Sequence, residues 1–401
     1  MAAIRTIRRL CWQRILFLPL ILFPAISHAE SLADALSGYP ALSQFRSLLQ
    51  NKPNVARLLT GDFTDSQRFT FLVPSDDAFT AYRTANGGSD IADIPNPELE
   101  AILKYHILSR SLLSAQLLTA PPNRLVIPTE LIEEKYNNRT AGPALEVQNG
   151  TGDNSDGQLV IMSLQSAADS QKRQQEELDV LSGLHKSVKM TLLDGEWDRG
   201  LFHMVDGLLT LPQVCTDTIE NQDLTSLTRA LKRASLGPVL DTLRNVTCIG
   251  PTNAAFEQAG SPDEKADPSD LTKALTFHTL TEPVYTNFLT DGQMFTTVSN
   301  DTIRVTVNDT GIFFNDAKLI RQNVLTNNGV IQIVDRVMSP FEPNPSSPTS
   351  DPTSSPTSSR APSASPSGGA ASILKAPFGG TILESVAVYI LAGVAIFSCL
   401  G

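Results

Sequence analysis

Cysteine, histidine and aromatic side chains are scarce in this chain, and its long apolar runs lie only at the two ends. Four cysteines are present. None sits in a C-x-x-C pair, which removes redox and zinc readings of them. The five histidines form no H-E-x-x-H, and G-x-S-x-G, Walker and dinucleotide-binding fingerprints are also missing. Aromatic residues make up 6% of the chain, few for the aromatic-lined cleft of a saccharide-processing protein. No basic stripe with interleaved aromatics occurs, and 31 Lys and Arg face 42 Asp and Glu, so a nucleic-acid partner is excluded. The stretch GTGDNSDG lacks the EF-hand offsets and the closing Glu of a calcium loop. Adjacent acids such as Asp76-Asp77 and Glu133-Glu134 read as solvated faces, because adjacency does not place two carboxylates across a glycosidic bond. The expectation is a protein without catalytic residues, cofactor or metal.

What is present begins with the ends. Arg5, Arg8, Arg9 and Arg14 flank the apolar run ILFLPLILFPAI, which leads to Ser27-His28-Ala29. A basic region, a short apolar core and a small-x-small site describe a signal peptide, residues 1–29, cut after Ala29. Pro19 and Pro24 interrupt the run, which is shorter than the ~20 residues a membrane span needs. At the other end Ser385 to Gly401 is uncharged and has no basic residue after it, unlike a spanning helix with a cytoplasmic flank. A cluster of small residues, Ser367 to Ser372, stands upstream across a spacer. That order matches a glycosylphosphatidylinositol attachment signal over 368–401, with Gly368 the first choice for the attached residue and Ser367 or Gly369 next. A tail-anchored helix is the alternative. Removing both ends leaves 26 basic against 41 acidic groups, a strongly acidic product near −15.

Cys11 leaves with the signal and Cys399 with the tail, so Cys215 and Cys248 remain, 33 residues apart. In an oxidising compartment two thiols most simply form one disulfide, a stabilisation of roughly 3–4 kcal/mol in the chain-entropy model. Two buried free thiols are the other reading, since spacing does not bring Cα atoms together. Five Asn-x-Thr sequons, at Asn138, Asn149, Asn245, Asn300 and Asn308, mark N-glycan sites expected where loops or strand edges face water. Of the 25 residues from Pro343 to Ser367, 20 are Ser, Thr or Pro. Such a segment, 341–367 in the domain division, has almost nothing apolar to bury and reads as an O-glycosylated stalk of at most ~80 Å.

The remaining ~310 residues suit two domains, and an internal repeat divides them. FTFLVPSDDAF (Phe69 to Phe79), YHIL (Tyr105 to Leu108) and LFHMVDGLLTLP (Leu201 to Pro212) appear in that order. TCIGPTNAAF (Thr247 to Phe256), FHTL (Phe277 to Leu280) and NGVIQIVDRVMSP (Asn328 to Pro340) repeat it. The first landmark reads as an apolar strand ending at Pro74 or Pro251, then a capped helix that buries Phe79 or Phe256. The second reads as a helix end, with Leu99, Ile102, Leu103 and Ile107 at helical spacing. The third is a strand, Val330 to Val337 in the second copy, carrying Asp206 or Asp335 at its close. Amphipathic stretches come before, as in LTSLTRALKRASLGPVLDTL, where Leu224, Leu227, Leu231 and Leu243 can share a face. Helices followed by hairpin strands describe an α+β fold.

At these landmarks both halves resemble the fasciclin domain family, from about Ser31 to Pro340. The first domain has FLVPSDDAF, with Asp where the family shows Asn, and the second has IGPTNAAF, with Gly250 for an apolar residue. The Tyr105-His106 pair becomes Phe277-His278. The resemblance implies two tandem domains, 30–212 and 213–340, each a β-sandwich wedge flanked by helices, of a kind that serves as an adhesion or matrix module and is often lipid-anchored.

From His106 to Asp206 is 100 residues and from His278 to Asp335 only 57, so the first domain carries an insertion near 120–190. Its polar stretches read as exposed loop and a short helix, either a solvated insertion or a private binding surface. His106 and His278 recur at one structural place, which points to histidines that hold backbone rather than to bases or metal ligands. The function these readings favour is a surface adhesion or wall-organising glycoprotein on the outer leaflet or in the wall. Its expected partners are cell-wall or matrix glycans, surface proteins and the membrane through its anchor, with weak self-association. The alternatives are a secreted polysaccharide-binding or polysaccharide-active factor, and an endomembrane or vacuolar membrane factor reached by the same route.

Overall fold

The computed structural model describes residues 31–60, 68–119, 125–140, 157–164 and 177–339. The signal segment, Asn149, the stalk and the attachment residues Ser367, Gly368 and Gly369 lie outside them. Among the described residues no helix is long and apolar enough to cross a membrane.

Two seven-stranded sheets follow one another along the chain. The first contains β1 (Phe69–Pro74), β2 (Ile107–Leu108), β3 (Leu125–Pro128), β4 (Leu159–Leu164), β5 (Glu177–Leu181), β6 (Ser187–Trp197) and β7 (Gly200–Val205), in the order β2-β1-β7-β6-β5-β4-β3. An antiparallel bridge from Leu108 to Thr129 joins the two outer strands, so the sheet closes on itself as a barrel. The second contains β8 (Val246–Pro251), β9 (Thr279–Leu280), β10 (Met294–Thr296), β11 (Thr302–Asn308), β12 (Gly311–Phe314), β13 (Ala317–Thr326) and β14 (Gly329–Val334). Its order, β10-β11-β12-β13-β14-β8-β9, is the same circle, closed by Leu280 against Thr297. The expected α+β architecture of two helix-flanked β modules is borne out, with the wedge built as one closed sheet.

The repeat landmarks are neighbours in space. β1 runs parallel to β7 and antiparallel to β2, and β8 stands in the same relation to β14 and β9. A strand with neighbours on both sides and layers on both faces must be apolar throughout, and every residue of β1 and β8 is buried. Side chains alternate along β1. Phe69, Phe71 and Val73 face the helices with Phe45, Leu59 and Leu99, while Leu72 points into the barrel with Ile127, Val160 and Met190. Gly200 and Gly329 open the strands parallel to β1 and β8, and a Cβ there would lie 2.2 Å from Phe69 O and 1.9 Å from Val246 O. Only glycine fits so close an approach.

Ser75 and Thr252 cap the helices Asp76–Ala85 and Asn253–Gln258 by accepting the Ala78 and Ala255 amides at 3.3 and 3.2 Å, and Phe79 and Phe256 are buried in the first turns. Two helical expectations change. The helix Asn96–Tyr105 buries Leu99, Ile102 and Leu103 but stops at Tyr105, and Ile107 passes into β2, because His106 ends the helix. Leu224, Leu227, Leu231 and Leu243 do not share one helix. The left-handed residue Ser235 separates Thr225–Arg233 from Gly237–Thr242, and Leu243 follows the second of these.

Candidate functional site

Each repeat gathers its marked residues into a clasp between the parallel pair and the short strand beside it. His106 is fully buried. Its Nδ1–H donates to Leu72 O at 2.8 Å in β1, and its Nε2 accepts Leu209 N–H at 3.0 Å just past β7. His278 repeats half of the device: its Nε2 accepts Met338 N–H at 3.0 Å, while its Nδ1–H donates at 2.8 Å to Ala274 O of its own helix, Pro268–Phe277, and not to β8. These partners fix the neutral ring with its proton on Nδ1. Burial pushes both imidazoles down to about 4, opposed only by the backbone bonds. In each ring both nitrogens are thus engaged with backbone groups.

The other landmark residues act alike. Asp206 Oδ1 accepts Lys189 N–H at 2.7 Å and Asp335 Oδ1 accepts Lys318 N–H at 2.8 Å, each tying the end of the third landmark to the strand beside it. The Tyr105 hydroxyl donates to Leu159 O at 2.6 Å, a bond that Phe277 cannot make. Pro74 and Pro251 end β1 and β8.

A second repeated device matches in letters only at its threonine. Thr70 Oγ1 donates to Arg110 O and accepts Leu112 N–H, at 3.0 and 2.8 Å. Thr247 does the same with Glu282 O and Val284 N–H, both at 2.7 Å. β6 and β13 each shift register, around Asp194 and Asn323, whose φ values are 46° and 56°. At the first bulge His203 Nε2–H donates to Leu112 O at 3.0 Å and its Nδ1 accepts Leu193 N–H at 3.2 Å. At the second, Gln332 Nε2 donates to Val284 O at 2.8 Å and its Oε1 accepts Asn323 N–H at 2.9 Å. Asp194 takes the Ser114 amide at 2.6 Å and Asn323 the Thr286 amide at 3.0 Å. The threonines stood inside the quoted motifs and could have been found there. The histidine-for-glutamine exchange keeps one donor and one acceptor while changing the letter.

The barrels meet over a packed seam. Val126, Leu159 and Ile161 of the first bury against Tyr285, Leu325 and Val330 of the second. Around that apolar centre Gly183 bridges Leu325, Asn138 N–H donates to Asn327 O at 2.6 Å, and Gln158 Nε2 reaches Thr326 O at 3.1 Å. The insertion supplies several of these groups. Its polar stretches fall largely outside the described residues, at 141–156 and 165–176, and the described part beside them is packed. Asn137 and Arg139 are buried there, and the Arg139 guanidinium donates to Gly157 O and, at 3.1 Å, to Thr140 O. The reason is that Asn138 and Gln158 pair with the carbonyls of the β13–β14 turn, which dry seam walls would otherwise leave unbonded.

Of the sequons, Asn300 lies in a bend and Asn308 at the end of β11, and both are exposed. Asn138 and Asn245 instead line the seam, half-buried, and Asn245 Oδ1 accepts the amide of Thr140, the closing residue of the other sequon, at 2.6 Å. Cys215 and Cys248 are both buried, as free thiols with sulfurs 3.4 Å apart. Their sulfurs reach each other because one cysteine opens a helix that packs on the strand holding the other. No group of three or more His, Cys, Asp or Glu that could hold a metal occurs among the described residues.

Closed barrels pinned by backbone-holding side chains, repeated in tandem and joined by a packed seam, define a scaffold of paired α+β modules. The model of the Fasciclin domain matches residues 40–177 and 222–340, and the chain belongs to that family. It is 26% identical over 322 residues to a fasciclin-like arabinogalactan protein of Arthroderma benhamiae, covering 80% of this chain and 69% of that one. It is 25% identical over 325 residues to a second protein of that description from Phaeosphaeria nodorum, covering 79% and 91%. Human periostin is 30% identical over 150 residues, 35% of this chain and 18% of periostin. Among solved structures, a FAS1 domain pair from the insect cell adhesion molecule fasciclin I aligns over 75% of this chain and 97% of that one, with 16% identity and a TM-score of 0.33.

Proposed function

We propose that this chain is a non-enzymatic surface or matrix glycoprotein that displays a fixed pair of fasciclin barrels on a Ser/Thr/Pro stalk, held to the outer leaflet by a C-terminal lipid anchor. It acts in adhesion or in organising the wall, with cell-wall glycans and surface proteins as partners. The observation that carries the reading is the fate of the family motifs. In both repeats the histidine, the threonine and the aspartate each hold backbone, which supports a display body over a reacting centre. The fungal relatives described as fasciclin-like arabinogalactan proteins support surface or wall residence. Many copies on one membrane would turn weak single contacts into firm attachment.

Two measurements test it. Phosphatidylinositol-specific phospholipase C should release the protein from intact cells, and recovery of a peptide containing Ser385 to Gly401 from the mature protein would rule the anchor out. The soluble Glu30 to Ser367 product should bind cells or wall glycans on an array without cleaving them. Turnover of any arrayed glycan would replace the adhesion reading with the polysaccharide-active one.

A further inference from the structure

The helix Cys215–Asn221 follows directly on the segment joining the two barrels, and both its flanks belong to the seam. Before it, Gln213 O accepts Asn327 N–H at 2.8 Å, and the same Asn327 receives Asn138 of the insertion. After it, Gln222 Nε2 donates to Leu184 O of the first barrel at 3.0 Å, while its Oε1 accepts Arg321 Nη1 of the second at 2.6 Å. A strap tied at both ends holds only as well as its middle is seated. Its inner face, Cys215 and Ile219, packs with Cys248 of β8, and the two sulfurs lie 3.4 Å apart. A disulfide brings sulfurs to about 2.05 Å, so side-chain torsion and a small shift of the helix close the gap.

We propose that Cys215 and Cys248 close into a disulfide that fastens this strap to β8 and thereby holds the seam between the barrels shut. The step is a two-electron oxidation by thiol–disulfide exchange. One cysteine loses its proton and attacks a sulfur of an oxidised dithiol carrier or of glutathione disulfide, and the displaced sulfur leaves as a thiol. The second cysteine then attacks the mixed disulfide, forming the Cys215–Cys248 bond and releasing the second thiol. In the seated helix the hydrogen bond to Cys248, and after it burial, hold the Cys215 thiol well above its usual range. The thiolate is the attacking species, so exchange belongs to the stage before the helix docks. The staple rests on the secretory reading only for its occurrence in the cell.

The test is therefore made on the purified full chain, equilibrated in glutathione buffers poised oxidising or reducing during refolding. Non-reducing peptide mapping should find one linked species joining Cys215 and Cys248 in the oxidising buffer. Hydrogen exchange at the Asn138, Thr140 and Asn327 amides should then be about tenfold slower than in the reduced chain, with the melting temperature higher by roughly 10 °C. The double variant Cys215→Ser/Cys248→Ser should show no response to the buffer. Failure to link in the oxidising buffer overturns the proposal, and so does a linked chain whose seam amides exchange as fast as those of the reduced one. Since reduced wild type is the comparison, the result does not depend on a variant folding. Free thiols in protein isolated from its own cells, alongside linkage in the buffer, would count against the secretory reading and not against the staple.

Discussion

A neutral imidazole that accepts one backbone amide and donates to one carbonyl holds two chain segments together without carrying charge into the core. Both His106 and His278 do this, at about 4 for their pKa against the ordinary ~6.5. Above pH ~6.5 both folded and unfolded chains are neutral there, and the full contribution to stability is present. As pH falls toward 4 the unfolded chain takes up protons that the folded chain refuses, so stability is lost through that window. The loss is up to roughly 1.4 kcal/mol per pH unit for each histidine. Burial also lowers His203 and His185, which steepens the same slope. Denaturant unfolding at pH 7, 6 and 5 should show this decline, and His106→Ala and His278→Ala should flatten it while costing roughly 1–3 kcal/mol at pH 7. Ligand binding measured on the same samples should fall only with the folded fraction. A variant that keeps full stability and loses all binding would make the imidazole a contact residue.

At the scale of the element, the bulged hairpins β6–β7 and β13–β14 do one job with different letters. If the job is only to present a donor to Leu112 O and an acceptor to Leu193 N–H, His203→Gln imports the second barrel's solution and should cost below about 1 kcal/mol. His203→Leu leaves both backbone groups unbonded in a dry site and should cost roughly 1–3 kcal/mol. Equilibrium unfolding of the two variants separates the readings, since equal losses would mean that ring shape matters and not bonding. The comparison also marks what the amino-acid sequence made legible. The three landmarks, their order and the two modules could be read because Pro, Phe, His and Asp recur as letters. Barrel closure through Leu108–Thr129 and Leu280–Thr297 could not, because a single bridge leaves no periodic pattern. The end of the helix at Tyr105 was hidden because Ile107 suits helix and strand alike. The packed part of the insertion was hidden because Asn137, Asn138, Arg139 and Gln158 look solvated until the carbonyls of the second barrel are known.

In the whole molecule, the seam decides whether the chain presents two modules or one body. Its apolar centre takes residues from β3, β4, β13 and β14 together with Tyr285, so opening the seam exposes apolar surface that each barrel otherwise hides. Gln158 joins the polar ring to that centre. Buried to 1% exposure, it donates to Tyr136 O at 2.6 Å on its own side and to Thr326 O at 3.1 Å across the seam. Its Oε1 also accepts the Leu159 amide at 2.8 Å. Because the two barrels share these contacts, calorimetry of the intact chain should show them unfolding in one transition. Gln158→Ala would strand two carbonyls and the Leu159 amide in a dry interface, a cost of several kcal/mol from groups worth about 1–3 kcal/mol each. That cost falls on the docked arrangement more than on the second barrel, to which Gln158 donates at Thr326 O. The variant should therefore split the transition in two, with the second barrel melting near its own temperature and the Asn138 and Thr140 amides exchanging faster. A single undivided transition in the variant would mean that the apolar centre alone couples the barrels, and two transitions already present in the native chain would mean that the pair is displayed as separate modules.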